Sequence, residues 1–218
     1  MNTGFITKKN YDYAEAGHDG YWRLNAPVGV SRQILSIKSE YWLLIDTFRS
    51  AGKHTYGVHF HFAENTPLQM DQERGRIVTA HKHGSNLLMQ TAGAAVRMNR
   101  EDCWIARHYN EKHRSSKVVL ETEGEGPFTT IVTVLRPFDH SEQISLMVQP
   151  LAIKWKSEQE VGPEQAIGFA LHDGERTDYV VVSRQGPQSY RFAGVQMTGE
   201  VLWLRREEGG TDRAYVVK

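Results

Sequence analysis

The feature that most constrains this chain is a two-residue hydrophobic period. Between His54 and Phe62, Tyr56, Val58, Phe60 and Phe62 fall on one side and His59 and His61 on the other. Successive strand side chains point to opposite faces, so this segment has one greasy and one polar face only when extended. Tyr41 to Phe48 is an aromatic and β-branched run suited to a buried strand. Stripes at the helical period are nearly absent. Further strands are expected at 30–38, 76–81, 86–91, 95–98, 103–109, 117–122, 129–135, 145–148, 151–155, 166–172, 178–183, 189–192, 200–205 and 213–217. Turn clusters such as Glu123-Gly124-Glu125-Gly126-Pro127, Gly186-Pro187 and Glu207-Glu208-Gly209-Gly210 separate them.

Roughly fifteen short strands at this spacing predict an all-β fold, a large antiparallel β-sandwich (supersandwich) with little helix. Only Pro163–Ala166 and the surroundings of Glu101 read as helical turns. Ser50-Ala51-Gly52-Lys53 has the length of a hairpin link. The 218 residues are expected as a single sandwich, with residues 1–10 poorly ordered; Phe138–Gln143 is polar enough to separate two sets of strands. The last strand stops without a polar tail, which reads as a piece of a longer protein.

Composition narrows the function classes. Lys and Arg number 26, Asp and Glu 26, for a formal net charge of zero. This argues against sequence-independent nucleic-acid binding, which needs a basic excess. It leaves room for a local basic cleft. No apolar run approaches the ~20 residues that span a bilayer. The single Cys103 cannot form an internal disulfide, so the compartment stays open among periplasm, exterior and cytoplasm. Glycine-rich phosphate loops, Gly-x-Ser-x-Gly elbows and Cys-x-x-Cys pairs are missing, and no cofactor is implied beyond a possible divalent metal.

Three groups of residues could carry chemistry. His59 and His61 stand two apart on one strand face, a spacing that can chelate a divalent metal. Asp46 on the preceding strand and Glu64 are the further candidate ligands, and in part this resembles a cupin site. His81-Lys82-His83 repeats the His-x-His spacing but reads as a basic loop. Asp102-Cys103-Trp104-Ile105-Ala106-Arg107-His108-Tyr109 combines rings that stack on sugars with an arginine that pairs with carboxylates. Alternation would place Arg107 and Tyr109 opposite Trp104 and His108. Tyr21 and Trp22, in Gly17-His18-Asp19-Gly20-Tyr21-Trp22-Arg23-Leu24, form a similar cluster. Core packing competes with sugar contact for every one of these aromatics. A buried Trp42 would make Trp42→Ala cost about 3–5 kcal/mol.

Read in order, several segments resemble the C-terminal β-sandwich of heparinase II/III-like polysaccharide lyases: 17–24, Val30-Ser31-Arg32-Gln33-Ile34-Leu35-Ser36-Ile37-Lys38, Tyr41-Trp42-Leu43-Leu44-Ile45-Asp46, Gly52–Tyr56, Phe60-His61-Phe62, Trp104–Tyr109 and Thr133-Val134-Leu135-Arg136-Pro137. The resemblance runs from about residue 11 to 138, carried by order and spacing. It implies an α/α toroid as partner and an acidic, uronate-containing polysaccharide or oligosaccharide as substrate. Cleavage would be β-elimination: a base removes the C5 proton, the uronate charge is neutralised, and an acid protonates the leaving O4. Catalytic Tyr and His residues of the family come largely from the toroid. A His-Gly-His segment, an Asp and an Ala-His-Asn segment build its structural zinc site. This chain contains neither motif, and Ser31 stands where the family commonly has His. The resemblance therefore implies a domain that is inactive alone and lines the sugar cleft. Tyr21, Trp22, Arg32, Arg107, His108 and Tyr109 are the expected wall residues, with Arg32 reading a carboxylate. The rival expectations are a stand-alone carbohydrate-binding module and a cupin-like metalloenzyme using His59, His61 and Glu64.

Overall fold

The computed structural model describes residues 4–93 and 95–218. It divides into two compact units, the first ending at Glu142 and the second spanning Gln143–Lys218. The division falls in the polar segment Phe138–Gln143.

The first unit contains β1 (Gly4–Thr7), β2 (Tyr11–Tyr21), β3 (Val28–Ile37), β4 (Tyr41–Arg49), β5 (His54–His61) and β6 (Leu68–Asp71). Next come β7 (Arg76–Thr79), β8 (Ser85–Gly93), β9 (Arg97–Ile105), β10 (His113–Gly124) and β11 (Thr129–Asp139). An eight-stranded sheet runs β1-β2-β3-β4-β11-β8-β7-β6, and β5-β10-β9 form a second sheet. All pairings are antiparallel. The larger sheet gives Val28, Phe48, Ile77, Met89 and Ile131 to one core, and the smaller gives Tyr56, Val58, Met98, Val118 and Leu120. These are the inward positions of the two-residue period, and they make the unit a β-sandwich. Phe60 and Phe62 pack against the same core, while His59 and His61 are exposed, as the alternation of β5 predicts.

Four local expectations change. The link 50–53 is not a hairpin turn. Both sides of β4 are taken, by β3 and β11, so β5 has no free edge there and crosses to the other sheet to pair with β10. Phe48 and Tyr56, on either side of the link, stack within the core with ring centroids 4.5 Å apart. Close passage of the chain requires Gly52, where a Cβ would lie 2.7 Å from Ala26 Cβ. Strand candidates 95–98 and 103–109 are one strand, β9, ending at Ile105. It is a sheet edge on which Met98 is the buried residue, so its polar middle, Glu101 included, is solvated strand rather than a helical turn. Within the first ten residues, Gly4–Thr7 is an edge strand paired with Asp12–Glu15; residues 1–3 lie outside the described residues. Trp42 lies where β4 meets Ser36 and Leu135, and 42% of its surface is exposed.

The second unit contains β12 (Met147–Pro150), β13 (Lys154–Trp155), β14 (Ala166–Asp173), β15 (Arg176–Ser183), β16 (Gln188–Phe192), β17 (Val195–Gly199), β18 (Val201–Glu207) and β19 (Arg213–Val216). Its sheets are β12-β14-β15-β18-β19 and β13-β16-β17. Between them pack Ala166, Val181, Leu202 and Leu204 with Ile153, Tyr190, Phe192 and Met197. On the alternate face of β18, Trp203 is 1% exposed and stacks on Tyr215 at 4.3 Å. Arg205 binds its register partner Asp178 bidentately, at 2.8 and 2.7 Å, and both are buried. Neutralising charges on adjacent strands lets both leave water together. Pro163–Ala166 is a hydrogen-bonded turn, with Gly162 O accepting from Gln165 and Ala166 N–H. No helix occurs among the described residues, so none is long and apolar enough to cross a membrane.

Candidate functional site

The β9–β10 hairpin of the first unit concentrates aromatic and cationic side chains. Its ladder pairs Ile105 with His113, Trp104 with Arg114 and Cys103 with Ser115. Residues 106–112 form the connecting loop, where Glu111 N–H donates to His108 O at 3.3 Å and Asn110 takes φ of 64°. Asn tolerates this left-handed conformation better than most residues. Trp104 has the strand parity of Met98 but lies six residues further along β9, beyond the core. Its indole is 52% exposed. Lys112 Nζ stands 4.2 Å from the ring centroid and the Arg114 guanidinium carbon 5.5 Å, both within cation–π range.

Glu64 holds the base of this loop. Its carboxylate lies 3.7 Å from Arg107 Nε and 3.8 Å from His113 Nδ1, and His113 Nε2 is 3.5 Å from Glu111. Arg107 is thereby engaged within the protein. His108 is exposed and Tyr109 wholly so. The hairpin brings Arg107, His108 and Tyr109 together with Trp104, but on a loop, so the strand alternation expected for 103–109 stops at Ile105.

The other expected wall residues lie on the larger sheet. Tyr21 ends β2, and Trp22 follows in a turn closed by Trp22 N–H donating to Asp19 O at 2.9 Å. Tyr21 and Trp22 are 47% and 65% exposed, and the His18 ring tilts against Tyr21 at 5.5 Å. Arg32 is differently placed. It donates to both carboxylate oxygens of its β4 neighbour Asp46, at 2.6 and 3.0 Å. Burial pushes the Asp46 carboxyl above its usual value, against the lowering effect of Arg32. The carboxylate that Arg32 reads is thus internal.

The expected metal set does not converge. Asp46 belongs to the larger sheet and is buried against Arg32, whereas His59 and His61 project outward from β5 in the smaller sheet. His59 Nδ1 lies 3.4 Å from Lys117 Nζ, a cation that itself pairs with Glu101 at 3.0 Å. Glu64 is engaged with Arg107 and His113. Among the described residues no group of three or more His, Cys, Asp or Glu is arranged to hold a metal. The cupin-like set of Asp46, His59, His61 and Glu64 is therefore not assembled into one metal site among the described residues. His81 belongs to a loop fastened by Asn86, which accepts from His81 N–H at 2.7 Å and donates to His81 O at 3.0 Å.

Lys112 and Arg114 were not among the expected site residues. Their signal was the run Glu111-Lys112-His113-Arg114, one residue beyond Trp104–Tyr109; it becomes one site with Trp104 only when the hairpin closes.

Fold and site together define an antiparallel β-sandwich protein that presents an exposed tryptophan and two cations on one hairpin. Comparison with known proteins makes the family definite. The model of the heparinase II/III-like C-terminal family matches residues 3–156, and the chain belongs to that family. A curated heparin-sulfate lyase of Pedobacter heparinus is 26% identical over 110 residues, which is 50% of this chain and 17% of the lyase. The crystal structure of a heparan sulfate lyase from Pedobacter heparinus superposes with a TM-score of 0.69 at 20% identity, over 83% of this chain and 27% of that one. A heparinase III structure gives 0.65 at 13% identity, over 94% and 27%. The chain thus spans about a quarter of the length of the solved lyases and less of the curated one.

Proposed function

We propose that this chain is the β-sandwich portion of a polysaccharide lyase that cleaves uronate-containing acidic glycans by β-elimination. It supports an α/α toroid and lines one wall of the sugar cleft. The observation that carries this reading is the family match over residues 3–156, supported by the sandwich folds of heparinases. In β-elimination the enzyme must remove a weakly acidic C5 proton, neutralise the neighbouring carboxylate and protonate the departing O4. General acid–base groups and cations must therefore converge on one sugar unit. On this reading the toroid carries the acid–base pair, and the sandwich adds binding energy and position. Trp104, His108 and Tyr109 provide exposed contact area, with Tyr21 and Trp22 as a second exposed aromatic pair.

The test compares the 218-residue chain with the longer protein to which it belongs, each incubated with heparan sulfate, hyaluronan and alginate. Ultraviolet absorbance of the unsaturated uronate product is the readout. The longer protein is expected to generate product and the chain alone to generate none. Product from the chain alone would overturn the division of labour, and no product from the longer protein on any acidic glycan would overturn the lyase reading. Glycan binding by the chain, with no toroid encoded beside it, would favour a stand-alone binding module.

A further inference from the structure

Charge pairing differs between the outer face of the β5-β10-β9 sheet and the end of its β9–β10 hairpin. On its outer face the cations meet carboxylates: Arg97 with Glu121 at 3.7 Å, Lys117 with Glu101 at 3.0 Å and Lys53 with Glu123 at 3.8 Å. An anionic ligand gains little from such a face, because each cation is already neutralised. At the hairpin tip, Glu64 and Glu111 hold Arg107 and His113. Lys112 and Arg114 are different. Among the described residues neither lies in ion-pair range of a carboxylate, and both rest against the half-exposed indole of Trp104.

We propose that Trp104, Lys112 and Arg114 form a subsite for one acidic sugar unit, carboxylated or sulfated, of the glycan. This rests on the lyase reading above and names the residues that would take the ligand's charge. The chemistry of the three groups is complementary. An indole offers a flat apolar surface to the C–H face of a pyranose. Lys112 and Arg114 stand over the ring, 4.2 and 5.5 Å from its centroid, so a sugar packed on the exposed part of the indole brings its substituents within reach of both cations. Guanidinium can bind a carboxylate or sulfate through two parallel N–H groups, and ammonium adds a point charge. The cross-strand pairing of Trp104 with Arg114 fixes platform and cation in register, which lowers the ordering cost of binding. Glu64 lies within 3.8 Å of both Arg107 and His113 at the base of the loop that carries Lys112.

The experiment titrates the 218-residue chain with a heparin tetrasaccharide, its desulfated counterpart and a neutral tetraose, following tryptophan fluorescence and heat. The charged tetrasaccharide is expected to bind and perturb the fluorescence, with affinity falling as salt rises. Trp104→Ala should remove the fluorescence change that the tetrasaccharide causes. The double variant Lys112→Gln/Arg114→Gln should weaken binding by about tenfold or more for each cation lost. Lys117→Gln, on the compensated outer face, should bind as the parent does. Thermal melts confirm that each variant is folded. Binding by the parent that both hairpin variants retain would overturn the subsite and leave the lyase reading intact. Equal binding of the neutral tetraose would overturn the role given to the cations. No binding of either acidic tetrasaccharide would overturn the subsite, and product formation by the longer protein then judges the lyase reading separately.

Discussion

Trp42 and Trp203 show how far one residue type can differ in consequence. Both sit in strands rich in aliphatic neighbours, and sequence alone ranks Trp42 as a core anchor. Trp42 lies at the end of β4 with 42% of its surface exposed, whereas Trp203 is 1% exposed and stacked on Tyr215. Trp203→Ala should therefore cost about 3–5 kcal/mol, the range for deleting a large buried ring. Trp42→Ala should cost clearly less, because a large part of that ring stays in water in the folded state. Urea unfolding of the two variants checks the order, and a larger loss at Trp42 would contradict the burial pattern. Asp46 carries a pH-dependent term of defined sign. Burial raises its carboxyl above the ordinary 3.8, although Arg32 pulls the other way. The folded state thus keeps this proton to higher pH than the unfolded chain does. Its contribution to stability falls as pH rises from 3.8 through the raised value, then stays level. Asp46→Asn should remove that component, so the urea midpoint of the variant should fall less than the parent's as pH is raised from about 4 to 7.

At the scale of elements, close approaches of backbone decide which positions tolerate a side chain. Gly168 lies on β14 directly beneath the segment joining β12 to β13. Leu151 N–H donates to Gly168 O at 2.9 Å, and a Cβ on residue 168 would meet Ile153 Cδ1 at 2.9 Å and Leu151 Cβ at 3.2 Å. Gly168→Ala should therefore displace that segment, with a loss of about 1–3 kcal/mol typical of overpacking, measurable as a lower melting temperature. The positions of most strands could be read from the chain because the two-residue period is imposed locally by strand geometry. Pairing could not. The link 50–53 has hairpin length, yet β3 and β11 occupy both sides of β4, and β5 must cross to the other sheet. Likewise β9 looks broken in sequence because an edge strand solvated along most of its length keeps polar residues at both parities.

For the whole molecule, the defining property is an all-strand architecture in two units, each with its own buried cluster. The solved lyases with this fold are much longer proteins, of which the chain covers 27%. The expected functional consequence is that the chain alone binds acidic glycan without releasing unsaturated product, the comparison that the product assay makes directly. The amino-acid sequence by itself determined the all-β class, the inward and outward faces of β5, and the family likeness, because these depend on neighbours within a few residues or on the order of segments. It also supplied Arg107, His108 and Tyr109 as a cluster, since they are consecutive. Only the tertiary structure decided that Arg32 is spent on Asp46, that Asp46 and the pair His59 and His61 belong to different sheets, and that Lys112 and Arg114 stand over Trp104 with no carboxylate partner among the described residues. These are questions of which charges meet across strands, and pairing between distant segments is fixed by the fold as a whole rather than by any local pattern.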